Sequence, residues 1–96
     1  MDYFPLFLKV ADRPCLVVGG GKVAARKIQL LQRAGAKVTV VSPRSCDEVL
    51  AYADAGSITY VHRDFQDEDL DDMVLVIAAT GNSAVNRHIA ELADRQ

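Results

Sequence analysis

Cysteine is scarce in this chain: Cys15 and Cys46 are the only two among 96 residues. Two thiols cannot build a disulfide framework, and their spacing matches no metal-binding pattern. Cys15 falls inside an apolar run, where a buried thiol is expected. Basic charge is short as well. Eleven Lys and Arg against thirteen Asp and Glu leave a net charge of −2, which offers no positive field to nucleic acid or to an anionic membrane. No apolar stretch approaches the ~20 residues of a membrane span. The opening residues, Met1 to Leu8, lack the basic start and small-residue cleavage site of a secretory leader. Repeats and low-complexity segments are absent too. What is left is an ordinary globular composition, 50% hydrophobic and 25% charged, sized for one domain at most. A cytoplasmic location is the simplest expectation.

The densest information lies between Cys15 and Ala24. A short apolar run, Cys15 to Val18, ends in Gly19, Gly20 and Gly21 and gives way at once to a helical pattern. The spacing is G-x-G-x-x-A. Gly19 permits a tight turn, Gly21 lets backbone approach a pyrophosphate, and small Ala24 lets helix and strand pack closely. The N–H groups that open such a helix are unpaired within it and lie at the positive end of its dipole, so they attract phosphate. Glycine-rich turns also serve as plain punctuation. The placement between an apolar strand and an amphipathic helix is what favours nucleotide binding.

The rest of the chain repeats the alternation. A helix is expected from Lys22 to Ala34 with Ala24, Ile28 and Leu31 on one face, closed by Gly35. A β-branched strand follows at Lys37 to Val41, broken by Ser42-Pro43-Arg44-Ser45. A second helix runs to Ala55 with Gly56 behind it, and a third strand covers Ile58 to His62. A polar stretch with a short helix, Asp67 to Asp72, leads to a fourth strand, Val74 to Ala79. Its continuous apolar character predicts burial on both faces of a parallel sheet. Asn82 or Ser83 then caps a last helix running towards Arg95.

Strands alternating with helices predict right-handed crossovers and a parallel sheet. The fold class expected is α/β, a Rossmann-like doubly wound sheet with strands one and four side by side. The crevice at their C-terminal ends is the ligand site of such folds. Here those ends are Gly19-Gly20-Gly21 and Ala79-Thr80-Gly81, and both lack bulk. A last helix should deliver the chain to a fifth strand, yet the sequence stops at Gln96. The expectation is therefore an incomplete domain over residues 1–96 of a longer protein.

The nucleotide is less well specified. An acid usually holds the ribose 2′-hydroxyl at the end of the second strand, and here Ser42 stands in that place, followed by Pro43 and Arg44. Ser42 can hydrogen-bond a ribose, the backbone of Ser42-Pro43-Arg44 can hold the adenosine end, and Arg44 can attract a 2′-phosphate or simply point into water. NAD and NADP both stay open. Among the other polar residues, the acids from Asp64 to Asp72 read as a solvated face, and His62 and His88 are isolated. Lys22 can reach a phosphate or face solvent. Thr80 is the polar group best placed for the crevice, with Asn86 reaching the same region from the last helix. No nucleophile–base pair and no carboxylate pair is evident.

Taken together, Met1-Asp2-Tyr3-Phe4-Pro5-Leu6-Phe7-Leu8, Leu16-Val17-Val18-Gly19-Gly20-Gly21-Lys22-Val23-Ala24, Arg26-Lys27, Leu30-Leu31, and Val76-Ile77-Ala78-Ala79-Thr80 with Val85-Asn86 closely resemble the N-terminal domain of the siroheme synthase family. The resemblance covers essentially the whole chain. It implies a precorrin-2 dehydrogenase and sirohydrochlorin ferrochelatase, passing hydride from precorrin-2 to NAD and then helping to insert ferrous iron, a substrate. It implies NAD held at Lys22-Val23 and Pro43-Arg44, and makes the missing acid a family habit. The family's proposed catalytic aspartate sits in an Asn-x-Val-Asp stretch that would follow Gln96, as would its homodimerisation segments. Many bacterial members add a uroporphyrinogen-III methyltransferase domain. The expected cofactor-binding set is thus Gly19, Gly20, Gly21, Lys22, Val23 and Ala24 at the turn, Ser42, Pro43 and Arg44 after the second strand, and Thr80 after the fourth. No catalytic or metal-binding residue is expected before Gln96, and the isolated fragment should be nearly inactive. A nucleotide-sensing regulatory module and an NADP-dependent reductase domain using Arg44 are the alternatives.

Overall fold

Val10 accepts the Arg13 N–H at 2.9 Å and turns the chain into strand β1 (Pro14–Val18), which is fully buried from Cys15 onward. The computed structural model describes residues 10–95. The Tyr3-Phe4-Pro5-Leu6-Phe7 segment of the family resemblance, and Gln96, lie outside the described residues. Helix α1 (Lys22–Arg33) follows, then β2 (Lys37–Val41), α2 (Asp47–Asp54) and β3 (Thr59–Val61). A 3-10 turn (Asp67–Leu70) leads to β4 (Leu75–Ala78) and α3 (Ser83–Asp94). Gly35 and Gly56 stand just past α1 and α2, as expected. Asn82 is the cap of α3, its side chain accepting the N–H groups of Ala84 and Val85.

All four strands are parallel, in the order β3-β2-β1-β4. Cys15 is level with Val38 and Leu75, and Val18 with Val41 and Ala78. Because successive strand residues face opposite ways, β1 feeds two cores. Cys15 and Val17 pack with Ala24, Ile28 and Leu31 of α1 and Val49 of α2. Leu16 and Val18 pack on the other side with Leu70 and with Ile89 of α3. Helices cover both faces, so the sheet is doubly wound. Strands one and four are neighbours, and the crevice at their ends exists.

One expectation fails. β4 is not buried on both faces; every one of its residues is half-buried. Its apolar run reads as a central strand, but among the described residues it pairs only with β1 and forms the sheet edge. Hydrophobic patterning registers the two faces of a strand, not the presence of a neighbour along its edge.

Candidate functional site

The three glycines do three different jobs. Gly19 adopts φ +125°, a conformation that side chains rarely take, and its N–H donates to the Val41 carbonyl at 2.9 Å. A Cβ there would overlap the Ala79 carbonyl, lying 2.7 Å from its carbon. Gly20 is fitted under the loop after β2. An added Cβ would overlap the Arg44 carbonyl and the Ser45 hydroxyl, and the Gly20 carbonyl accepts the Cys46 N–H at 2.7 Å. Around Gly21 nothing lies within 4 Å of the position a Cβ would take. Gly21 is also the N-cap of α1, and no side chain caps that helix. The contrast with α3 is informative. There Asn82 satisfies the first-turn amides itself, whereas at α1 they are left for something else.

These amides open into a cavity of about 1100 Å³ across the C-terminal ends of β1, β2 and β4. That is roomy against the ~300–1,000 Å³ of typical ligand sites. Gly19 to Val23 line it, with Ser42, Pro43, Arg44 and Thr80. Ala24 does not. It is fully buried against Cys15 and Val17, so its place in the expected binding set is corrected to one of packing: small size lets α1 seat close to β1.

Two hydroxyls of the expected set are engaged inside the protein. Ser42 is 5% exposed, and its hydroxyl donates to the Arg44 carbonyl in a very short bond. That hydrogen is committed to shaping the loop and is not free for a ribose. The Thr80 hydroxyl lies 2.5 Å from Asn86 Oδ1 and 3.0 Å from the Asn82 carbonyl, while accepting the Asn82 N–H at 3.2 Å. Lys22 and Arg44 are exposed at the rim. They are the Lys and Arg side chains that line the cavity among the described residues.

Sequence reading missed what fixes the loop after β2. Tyr60 donates its hydroxyl to the Ser42 carbonyl at 3.2 Å, and His62 donates Nε2–H to the Pro43 carbonyl at 2.7 Å. The two rings stack, with centroids 5.8 Å apart. The signal was their i, i+2 spacing in chain that runs extended through and just past β3, which puts both on one face. Also unforeseen are Asp64, Phe65, Asp67 and His88, which complete the lining. The segment that carries Asp64, Phe65 and Asp67 is held by Arg63, which grips both oxygens of Asp69 at 2.7 and 2.9 Å. Asp69 Oδ2 also accepts the Gln66 N–H at 2.8 Å. The Arg63 hydrogen bonds hold the Asp69 carboxyl below the usual carboxylate range, against a smaller opposing effect of burial. Asp67 Oδ1 accepts from His88 Nε2 at 3.1 Å, so the acidic run is partly engaged by contacts with other residues of the fold.

A glycine turn feeding an uncapped helix, opposite a small-residue strand end on a doubly wound parallel sheet, defines a dinucleotide-binding α/β domain. Comparison with known proteins agrees. Residues 6–96 match a family described as putative NAD(P)-binding. The chain belongs to that family. It is 53% identical over 92 residues to a siroheme synthase of Thioalkalivibrio sulfidiphilus, covering 96% of this chain and 19% of that protein. A siroheme synthase of Nitrosospira multiformis is 52% identical over 99 residues, with 99% and 21% covered. Among solved structures, SirC, a precorrin-2 dehydrogenase, superposes with a TM-score of 0.83 at 31% identity, over 92% of this chain and 44% of that one. The chain thus spans about a fifth of the length of the curated relatives it matches.

Proposed function

We propose that these residues are the NAD-binding part of a siroheme synthase, serving the oxidation of precorrin-2 to sirohydrochlorin. The observation that carries the reading is the division of labour in the glycine turn. Gly19 and Gly20 are closed against protein, and Gly21 stands open over uncapped helix amides. Those amides would hold the pyrophosphate, with Lys22 at hand, and the loop Ser42-Pro43-Arg44 would hold the adenosine end. Thr80 and Gly81 border the cavity beyond β4, where the nicotinamide end of a cofactor lying across the sheet would fall. When bound, NAD supplies the acceptor for the hydride that precorrin-2 loses along with a proton. The chain's own contribution is orientation: two small strand ends leave a flat floor against which a tetrapyrrole edge can approach.

Three finer readings go with this one. The domain continues beyond Gln96 to a fifth strand that carries the catalytic acid and to the segments that form a homodimer. The same site serves insertion of ferrous iron into sirohydrochlorin, and the enzyme works in the cytoplasm. The 96 residues alone turn over little of either substrate. Support comes from the names and lengths of the relatives. A second reading, NADP as cofactor, rests on Arg44, which stands exposed at the rim while the Ser42 hydroxyl is turned inward.

Calorimetric titration of the intact protein with NAD and NADP separates the two cofactors. Anaerobic incubation with precorrin-2 and NAD, followed at the absorbance of NADH, tests the reaction. NAD binding with stoichiometric NADH formation is expected. A protein that binds neither dinucleotide, or that binds NAD without oxidising precorrin-2, overturns the assignment.

A further inference from the structure

Thr80 lies beyond the end of β4, where the ladder to β1 has stopped. The last rung is the Ala79 N–H donating to the Val18 carbonyl at 2.8 Å, because at Gly19 the opposite chain turns away. The Thr80 peptide therefore has no strand to pair with on that side, although it is part-buried. A single side chain from α3 takes the strand's place. Thr80 donates its N–H to Asn86 Oδ1 at 3.1 Å, and Asn86 Nδ2 donates to the Thr80 carbonyl at 3.1 Å. The Thr80 hydroxyl closes on the same Oδ1 at 2.5 Å. The orientation of the amide is dictated by its partners, since only its oxygen can accept from an N–H and only its nitrogen can donate to a carbonyl. One carboxamide thus holds all three polar groups of Thr80.

We propose that Asn86 is a positioning residue for the dinucleotide. It fixes the Thr80 peptide as the wall of the crevice facing Gly19, and so sets the crevice width before any ligand arrives. The proposal rests on the nucleotide-binding reading above and adds a residue to it. Thr80 N lies 3.1 Å from the place a Gly19 Cβ would occupy, so the two walls are already at contact distance there. A rotation of the Thr80 peptide would change the floor on which a nicotinamide rests. Asn86 also borders the cavity, yet its amide is committed to Thr80, so it acts through that residue rather than on the ligand. The cap at Asn82 anchors the other end of the turn, and the Asn86 N–H continues the helix to the Asn82 carbonyl at 3.0 Å. A site held this way needs no ordering when the cofactor enters.

The decisive variant is Asn86→Asp in the intact protein, with NAD affinity measured by calorimetry between pH 8 and pH 4, a range that reaches the ~3.9 of an ordinary aspartate. An ionised carboxylate still accepts from the Thr80 N–H, but it sets a second acceptor against the Thr80 carbonyl. Loss of that bond, with the carbonyl left unsatisfied, should weaken NAD binding about tenfold at pH 8 relative to the unsubstituted protein. A protonated carboxyl restores the donor, so the ratio should narrow at least threefold as the pH falls. A role confined to holding the fold together predicts a ratio that does not change with pH, and that result overturns the proposal. Hydrogen exchange on the unsubstituted protein gives an answer that needs no variant. The Thr80 amide should exchange as slowly as the amides of β4, and exchange at the rate of an open loop overturns the proposal too. If the unsubstituted protein binds no dinucleotide, the functional reading itself falls. If it binds NAD and the variant matches it at every pH, only the role of Asn86 does.

Discussion

Gly19 and Ala79 approach so closely that a Cβ on the glycine would overlap the alanine carbonyl. The end of β1 and the end of β4 are thus built to contact distance, and φ +125° at Gly19 disfavours any side chain besides. Gly19→Ala combines backbone strain with a collision against immobile backbone. Together these should cost at least about 3 kcal/mol, seen as a lower denaturation midpoint in urea. A loss below about 1 kcal/mol would mean that the two strand ends can move apart at little cost.

Gly21 should behave in the opposite manner. Its φ of −85° suits any residue, and the space a Cβ would enter is empty. Gly21→Asp should therefore leave the melting temperature close to that of the parent protein, within the ~0.5 kcal/mol of an ordinary surface change. The new carboxylate, however, would face the phosphates that the proposed site holds at the start of α1, and NAD affinity should fall about a hundredfold or more. The pair of measurements matters. A folded variant with unchanged affinity would remove Gly21 from the site.

The contrast between these glycines marks where sequence reading stops. G-x-G-x-x-A between an apolar strand and an amphipathic helix located the turn, and alternation of elements put Gly19 beside Ala79 before any coordinates. Those features are local or follow from winding rules. Gly20 carried no comparable signal, because its need for a hydrogen in place of a side chain comes from Arg44 and Ser45, more than twenty positions away. The pins from Tyr60 and His62 are of the same kind, side chain to backbone across 18 and 19 positions, whereas Asn86 reaches the Thr80 backbone across a turn of six. Ser42 was read as a ribose ligand from its position alone, and its turn inward to Arg44 depends on loop geometry that no spacing encodes.

The two cysteines should differ sharply in reactivity. Cys15 has no exposed surface, and burial pushes its thiol up despite the opposing influence of Arg13. Cys46, at the N-cap of α2, is partly exposed. With an excess of a disulfide reagent near pH 8, Cys46 should react first and Cys15 only as fast as the domain unfolds. Fast modification of Cys15 under native conditions, located by mass spectrometry, would contradict a closed first core.

The Arg63–Asp69 pair ties stability to pH. The folded-state Asp69 carboxyl lies below its unfolded value, chiefly through the Arg63 hydrogen bonds. A group of this sign stabilises the fold at pH values above its unfolded pKa of ~3.9, and that contribution disappears as the pH falls through the lower folded value. Arg63→Gln should shift the Asp69 titration upward when followed by carboxyl NMR, at least to the ordinary value, because burial then outweighs the one remaining hydrogen bond from the Gln66 N–H. The stability gap between the parent and variant proteins should then be constant from pH 8 to pH 5 and shrink at more acid values. A gap that persists unchanged into acid, or a carboxyl that titrates alike in both proteins, would show that Arg63 holds the Asp64–Asp67 side of the cavity by packing alone.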